Sequence, residues 1–270
     1  MVPPMPILDP VVEAYLDDHR TPPDALLVEM EAHGARDRVP IVPPETGALL
    51  HVLARTAGAR RIVEVGTAIG VSTVYLARAL RADGELVSFE IDPQRHAAAR
   101  DYLGRSGAEA RVDLRLQDAR EGLAELDEGW DLAFIDAAKG EYATDFDLLV
   151  PRLRPRGLIV ADNALMGGTV ASGEPNEIWG PEQIRGGRAF LDAFLAHPSL
   201  DATVPPIRAL SATISPRGRS RGTSSSKYVA YSPLAASMNA RSQPSSSSAR
   251  PSRASCRRRS TRAGTPDRSR

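Results

Sequence analysis

Five short runs rich in Val, Ile, Leu and Phe recur along the chain between segments of helical periodicity. They are "RRIVEVG" (60–66), "ELVSFEID" (85–92), "RVDLRLQD" (111–118), "WDLAFIDA" (130–137) and "GLIVADN" (157–163). Near-continuous apolar runs suit parallel strands covered on both faces, and strand–helix alternation is the pattern of a doubly wound α/β sheet. Helices are predicted over 71–81, 93–104, 119–126 and 142–153, with Asp92 as N-cap ahead of Pro93. Before the first strand, "PPETGALLHVLARTAG" places Leu49, Leu50, Leu53 and Ala57 on one helical face, with Gly58 as C-cap. Residues 8–33 add one or two further helices. After the fifth strand come a helix in "PEQIRGGRAFLDAFLAHP", a strand in "LDATVPPI" and, as the only candidate for a final strand, "ALSATIS" (209–215). The expected fold is therefore α/β, Rossmann-like and doubly wound, with seven mostly parallel strands.

The formal net charge of zero averages two unlike pieces. From Pro206 onward there are fourteen Lys or Arg and one acid, Asp267. That leaves 20 basic and 33 acidic groups in residues 1–205, a net of −13. We expect a folded domain over 1–215, with its N-terminal helices in 1–58. A basic tail rich in Ser, Arg and Pro over 216–270 is expected to be disordered, because its composition cannot repay ordering entropy. That tail also admits a nucleic-acid arm, which the acidic body disfavours. Cys256 is the only cysteine, so an internal disulfide and a cysteine metal site are excluded. His19, His33, His51, His96 and His197 lack ligand spacing. No run of about 18 apolar residues is present and the N-terminus lacks the pattern of a secretory signal, so a cytoplasmic protein without a membrane partner is expected.

The strand ends carry the chemistry. In "VEVGTAIGVST", Glu64 precedes Gly66 and Gly70, and Ser72 and Thr73 open the next helix, whose N–H groups can approach a ligand. Ala68 stands where a dinucleotide loop has its middle glycine, which weighs against a nicotinamide-dependent dehydrogenase without removing it. Glu90, at the end of strand two, is placed for the two hydroxyls of a ribose. Glu64 and Glu90 together suit a ligand with a cationic amino-acid end and a ribose end, as S-adenosylmethionine has. At the ends of strands four and five, Asp136, Asp162 and Asn163 supply three oxygens. Such hard donors suit Mg²⁺, Mn²⁺ or Ca²⁺. Lys139 is the one lysine of the body, Lys227 lying in the tail, and it is placed to take a proton from a bound hydroxyl.

The ordered set "PPETGALL", "VEVGTAIGVST", "FEID", "LQDARE", "FIDAAKGEY" and "ADNAL" resembles the cation-dependent class I O-methyltransferases of the caffeoyl-CoA and catechol group. The resemblance runs from about Val42 to Thr203. It implies that Val42, Glu64, Gly66, Thr67, Ser72, Glu90, Ala119 and Asp136 line an S-adenosylmethionine site. It also implies that Asp136, Asp162 and Asn163 hold the metal, with Lys139 as general base. The implied reaction moves a methyl group to a hydroxyl of a small catechol-like or phenolic acceptor held at the metal, in a protein that is usually a homodimer. Where plant members carry Trp and Asn after the "DN" pair and one residue pair more, this chain has Met166 and Gly167, and it lacks the glycines of the family's last hairpin.

Overall fold

A computed structural model describes residues 10–19, 21, 24–204 and 212–216. Apart from Pro216, which ends the last strand, the tail expected over 216–270 lies outside them. Strands β1 (Arg61–Val65), β2 (Glu85–Glu90), β3 (Val112–Leu116), β4 (Trp130–Ile135) and β5 (Leu153–Ala161) run parallel. With β6 (Leu200–Thr203) and β7 (Ala212–Pro216) the sheet order is β3-β2-β1-β4-β5-β7-β6, and β7 is antiparallel to both its neighbours.

Nine α-helices are seen among the described residues: α1 (Pro10–His19), α2 (Ala25–Asp37), α3 (Pro44–Ala57), α4 (Val71–Ala79), α5 (Pro93–Ser106), α6 (Ala119–Glu125), α7 (Tyr142–Leu149), α8 (Thr169–Ser172) and α9 (Pro181–Ala196). Asp92 caps α5 as expected, its side chain accepting from Gln94 N and Arg95 N, and Gly58 closes α3 in the left-handed conformation. Among the described residues, no helix is long and apolar enough to cross a membrane.

The period-2 alternation of the strands sorts their side chains into two cores. Ile62, Leu132, Phe134 and Val160 pack with Leu50 of α3 and with Val74 and Leu76 of α4. Val63, Val65, Ala133 and Ile135 pack on the other face with Leu123 of α6, Phe146 of α7 and Phe190 of α9. Each of these buried Val, Leu, Ile and Phe side chains stabilises the fold by roughly 1.5–3 kcal/mol. Every residue of β4 is buried, in keeping with a central parallel strand. Asp131 is buried there too, but it is spent on the fold. Its Oδ2 accepts from the backbone N–H groups of Arg60 and Arg61 at 2.7 and 2.8 Å, and its Oδ1 pairs with Arg154.

Several boundaries differ from the sequence expectation. The helix expected over 142–153 stops at Leu149 and tightens into a 3₁₀ turn at Val150–Arg152, where Pro151 brings no N–H to continue it. The helix expected over 71–81 ends at Ala79, because Leu80 already has an extended backbone. β5 begins at Leu153, four residues early, and its register against β4 shifts between Trp130 and Leu132. On α3 the buried residues are Thr46, Gly47, Leu50 and Ala54, so the stripe is rotated from the apolar one. The cause is Tyr75 of α4, whose ring lies where a Cβ at Gly47 would stand. The short α8 and the loop after it have no counterpart in the sequence reading.

Candidate functional site

The chain moves outward from β1 to β2 and β3, then returns to place β4 and β5 on the other side of β1. Parallel sheets bind ligands where the order reverses, at the carboxyl ends of the strands. Every site residue expected from sequence, apart from Val42 just before α3, falls at a strand's carboxyl end or in the loop or first helical turn after it.

On the β1/β2 side, Glu64 points from β1 toward α4 and is fully buried. Its Oε2 accepts from Thr73 Oγ1 and Ser88 Oγ, each at 2.6 Å, and Thr67 Oγ1 lies 2.5 Å from Ser88 Oγ. Burial pushes the carboxyl up to about 7, against the pull of the Ser72, Ser88 and Thr73 hydroxyls. Its Oε1 nevertheless has no hydrogen-bond partner.

Gly66 has φ +95°, and a Cβ there would collide with the Asp136 carbonyl of the neighbouring strand end. Only glycine lets the two backbones meet. Ala68 is held in the left-handed region at φ +50°, a costly conformation for alanine. Its N–H donates to Glu90 Oε2 at 2.7 Å, while Glu90 Oε1 accepts from Ile91 N and Asp92 N at 3.0 and 2.9 Å. Glu90 thus pins the glycine loop as well as standing where the sequence set it. Val42, Thr67 and Ser72 are buried beside this loop region, and Ala119 is the first residue of α6.

On the β4/β5 side, Lys139 is buried. Its Nζ donates to Asp136 Oδ1 at 2.8 Å and to the Tyr142 hydroxyl. Tyr142 is within donating distance of the carbonyls of Ile135 and Asp162, at 3.2 and 3.1 Å. Burial, reinforced by Asp136, Asp162 and Asp145, holds the Tyr142 phenol protonated, well above its ordinary value. Asp162 is pushed up to about 7, first by burial and then by the charge of Asp136, with Lys139 pulling the other way. Its Oδ1 is buried without a partner. Asn163 follows in the left-handed conformation at φ +51°, which asparagine tolerates better than most residues.

These groups fit a divalent cation in their chemistry: hard oxygens, two carboxylates close enough to repel, and one buried oxygen left unpaired. Among the described residues no group of three or more His, Cys, Asp or Glu converges in this way. With Asp136 and Asp162, the Asn163 carboxamide would be the third donor.

Sequence reasoning missed Tyr142, Ser88 and Trp179. The Lys139–Tyr142 spacing of three residues was a visible signal, since α7 begins at Tyr142 and turns that phenol back toward the strand end. Ser88 offered none, because a small polar residue in a buried strand can as easily face a backbone group. Trp179 lies in the loop before α9 with its ring centroid 5.9 Å from Lys139 Nζ. The histidines described here serve packing: His33, His51 and His96 are bonded to Tyr102 Oη and to the carbonyls of Tyr75 and Leu114.

Over residues 23–185 the chain matches the O-methyltransferase family. A catechol O-methyltransferase of Niastella koreensis is 36% identical over 167 residues, covering 60% of this chain and 74% of that one. A catechol O-methyltransferase of Mycobacterium tuberculosis is 33% identical over 197 residues, covering 72% and 87%. Among solved structures, an O-methyltransferase from Bacillus cereus in complex with SAH superposes with a TM-score of 0.66 at 30% identity, over 76% of this chain and 96% of that chain.

Proposed function

The chain belongs to the O-methyltransferase family, and on that premise we propose that it carries the methyl group of S-adenosylmethionine to a hydroxyl of a small catechol-like or phenolic acceptor. The observation that carries this reading is Lys139, buried and held between Asp136 and Tyr142 beside an unpaired oxygen of Asp162. A single lysine with those partners has no packing role that arginine, used almost everywhere else in this chain, could not fill.

The β1/β2 ends bind and orient the methyl donor. Glu90 faces the ribose, Gly66 and Thr67 bring backbone close to the ligand, and Glu64 offers negative potential to the amino-acid end and sulfonium. Val42, Ser72, Ala119 and Asp136 close that site. Asp136, Asp162 and Asn163 would hold a divalent cation, Mg²⁺ in first place and Mn²⁺ or Ca²⁺ otherwise. Such an ion supplies Lewis acidity that makes a nearby hydroxyl easier to ionise. Lys139 Nζ, as the neutral amine that still donates to Asp136 and Tyr142, takes the hydroxyl proton on its lone pair and becomes the ammonium. The acceptor oxygen forms the new O–CH₃ bond as the S–CH₃ bond breaks in line, and the sulfonium leaves as the neutral thioether of S-adenosylhomocysteine. Tyr142 fixes Nζ, since its hydroxyl accepts from Lys139 and is itself anchored on two carbonyls. A homodimer accords with α1, where Val12, Tyr15 and Leu16 expose an apolar face for a second copy to cover.

The test is methyl incorporation from labelled S-adenosylmethionine into catechols, flavonoids and hydroxycinnamoyl thioesters, with Mg²⁺ or with EDTA, for the native chain and Asp162→Ala. Activity on a phenolic acceptor that EDTA removes, and that Asp162→Ala reduces by at least about a thousandfold, is expected. Undiminished turnover of the variant in EDTA overturns the metal role.

A further inference from the structure

The chain has two tryptophans. Trp130 is buried at the start of β4, its Nε1 donating to the Asp127 carbonyl at 2.8 Å and its ring under the Arg61 guanidinium. It is fully accounted for by the fold. Trp179 is only half-buried, and its backbone is pinned on both sides. Asn176 Oδ1 accepts from Ile178 N and Trp179 N at 2.9 and 2.8 Å, and Asn176 N donates to the Trp179 carbonyl at 3.1 Å. The next residue, Gly180, donates its N–H to Gln183 Oε1 as α9 begins. A loop this firmly closed presents its one aromatic side chain in a fixed place. That place is beside Lys139 Nζ, 5.9 Å from the ring centroid.

The distance decides what the ring can touch. A hydroxyl that gives its proton to Nζ lies about 3 Å from it. The centre of an aromatic ring bearing that hydroxyl is then roughly 3 Å further on, so on the indole side of Nζ it can stand at the 4.5–7 Å spacing of offset or edge-to-face pairs. An aliphatic acceptor would reach the same Nζ without gaining that contact.

We propose that Trp179 is the specificity-determining wall of the acceptor site, packing against the ring of a flat phenolic acceptor and so selecting aromatic hydroxyls. This rests on the O-methyltransferase reading above. One side of Trp179 packs on the core cluster that holds Met166, and the Met166 sulfur lies where a Cβ at Gly187 would stand, so α9 and the segment before it meet closely behind the indole.

Two readouts test the inference on the full chain supplied with S-adenosylmethionine and Mg²⁺. Trp179→Ala is expected to raise KM for catechol about tenfold and for 2,3-dihydroxynaphthalene further, with kcat within about threefold, while Trp179→Phe restores most of the loss. Second, indole fluorescence of the native chain with S-adenosylhomocysteine bound is quenched on adding catechol, and Trp179→Phe, which leaves Trp130 as background about 20 Å along the strand, is not quenched. A Trp179 that merely roofed Lys139 would instead lower kcat for every acceptor alike, and that outcome overturns the proposal. So does quenching that persists in Trp179→Phe. If catechol is turned over by the native chain and by Trp179→Ala with the same KM, this inference alone falls. If the native chain methylates no phenol, the functional reading falls and takes this one with it.

Discussion

The ends of β1 and β2 and the ends of β4 and β5 lie side by side and each buries a carboxyl raised to about 7, yet they surround that charge differently. At the first pair most polar atoms are satisfied by the protein: Glu90 accepts three backbone N–H bonds and Glu64 two hydroxyls on one oxygen, with Glu64 Oε1 left over. At the second pair two carboxylates face one another across a single lysine, and a buried oxygen of Asp162 is left bare. A binding platform gains from being finished before the ligand arrives. A centre that must receive a cation and a proton gains from being left unfinished. On the proposed function the strand ends therefore divide the labour of donor binding and acceptor activation along the line between β1 and β4.

That division breaks most cleanly at Lys139. Lys139→Ala is expected to lower kcat by roughly 10²- to 10⁴-fold while the dissociation constant for S-adenosylmethionine, read by calorimetry, stays within about twofold. Recovery of full kcat at high acceptor concentration would make Lys139 a binding residue. Glu90→Ala should do the converse. Losing the carboxylate frees Ala68, Ile91 and Asp92 N–H groups and the ribose contact together, so cofactor affinity is expected to fall about 10- to 100-fold with saturated kcat little changed. Equal losses in both parameters would erase the proposed boundary.

The smallest effect comes from a group that belongs to neither side. Asp145 of α7 is buried, its Oδ2 has no partner, and burial with the Glu141 charge raises its carboxyl to about 7. An acid whose folded value lies above its unfolded one stabilises least when ionised, so this contribution is lost as pH rises from about 4 through about 7. Asp145→Asn should match the native melting temperature near pH 4 and exceed it by about 5 °C at pH 8, by calorimetric scan. Identical pH profiles would mean that the carboxyl finds a partner in solution.

The parallel sheet was legible because its strands are apolar on both faces, the start of α5 because Asp92 and Pro93 have strong local chemistry, and the end of α3 because Gly58 does. The ends of elements were less so. Pro151 closes α7 early, and the face buried by α3 is dictated by Tyr75, a residue some 28 positions from Gly47. Asp136, Lys139, Asp162 and Asn163 could be proposed from their positions at strand ends, since β4 and β5 bring adjacent C-termini together. What those side chains bond to could not. The Tyr142 link to Lys139 depends on the pitch of the turn 136–141, and Trp179 reaches Lys139 only through a loop with no periodicity to read.

Gly66 joins the two halves. Its Cα rests against the Asp136 carbonyl with no side chain between, so there is no rotamer to absorb a shift. When the sheet flexes, the loop proposed to seat the sulfonium and the strand end proposed to seat the acceptor must travel together. On that proposal the gap a methyl group crosses would be insulated from thermal sway. Changes of acceptor preference have to be made elsewhere, in the 164–180 segment, which can be rewritten without disturbing that spacing.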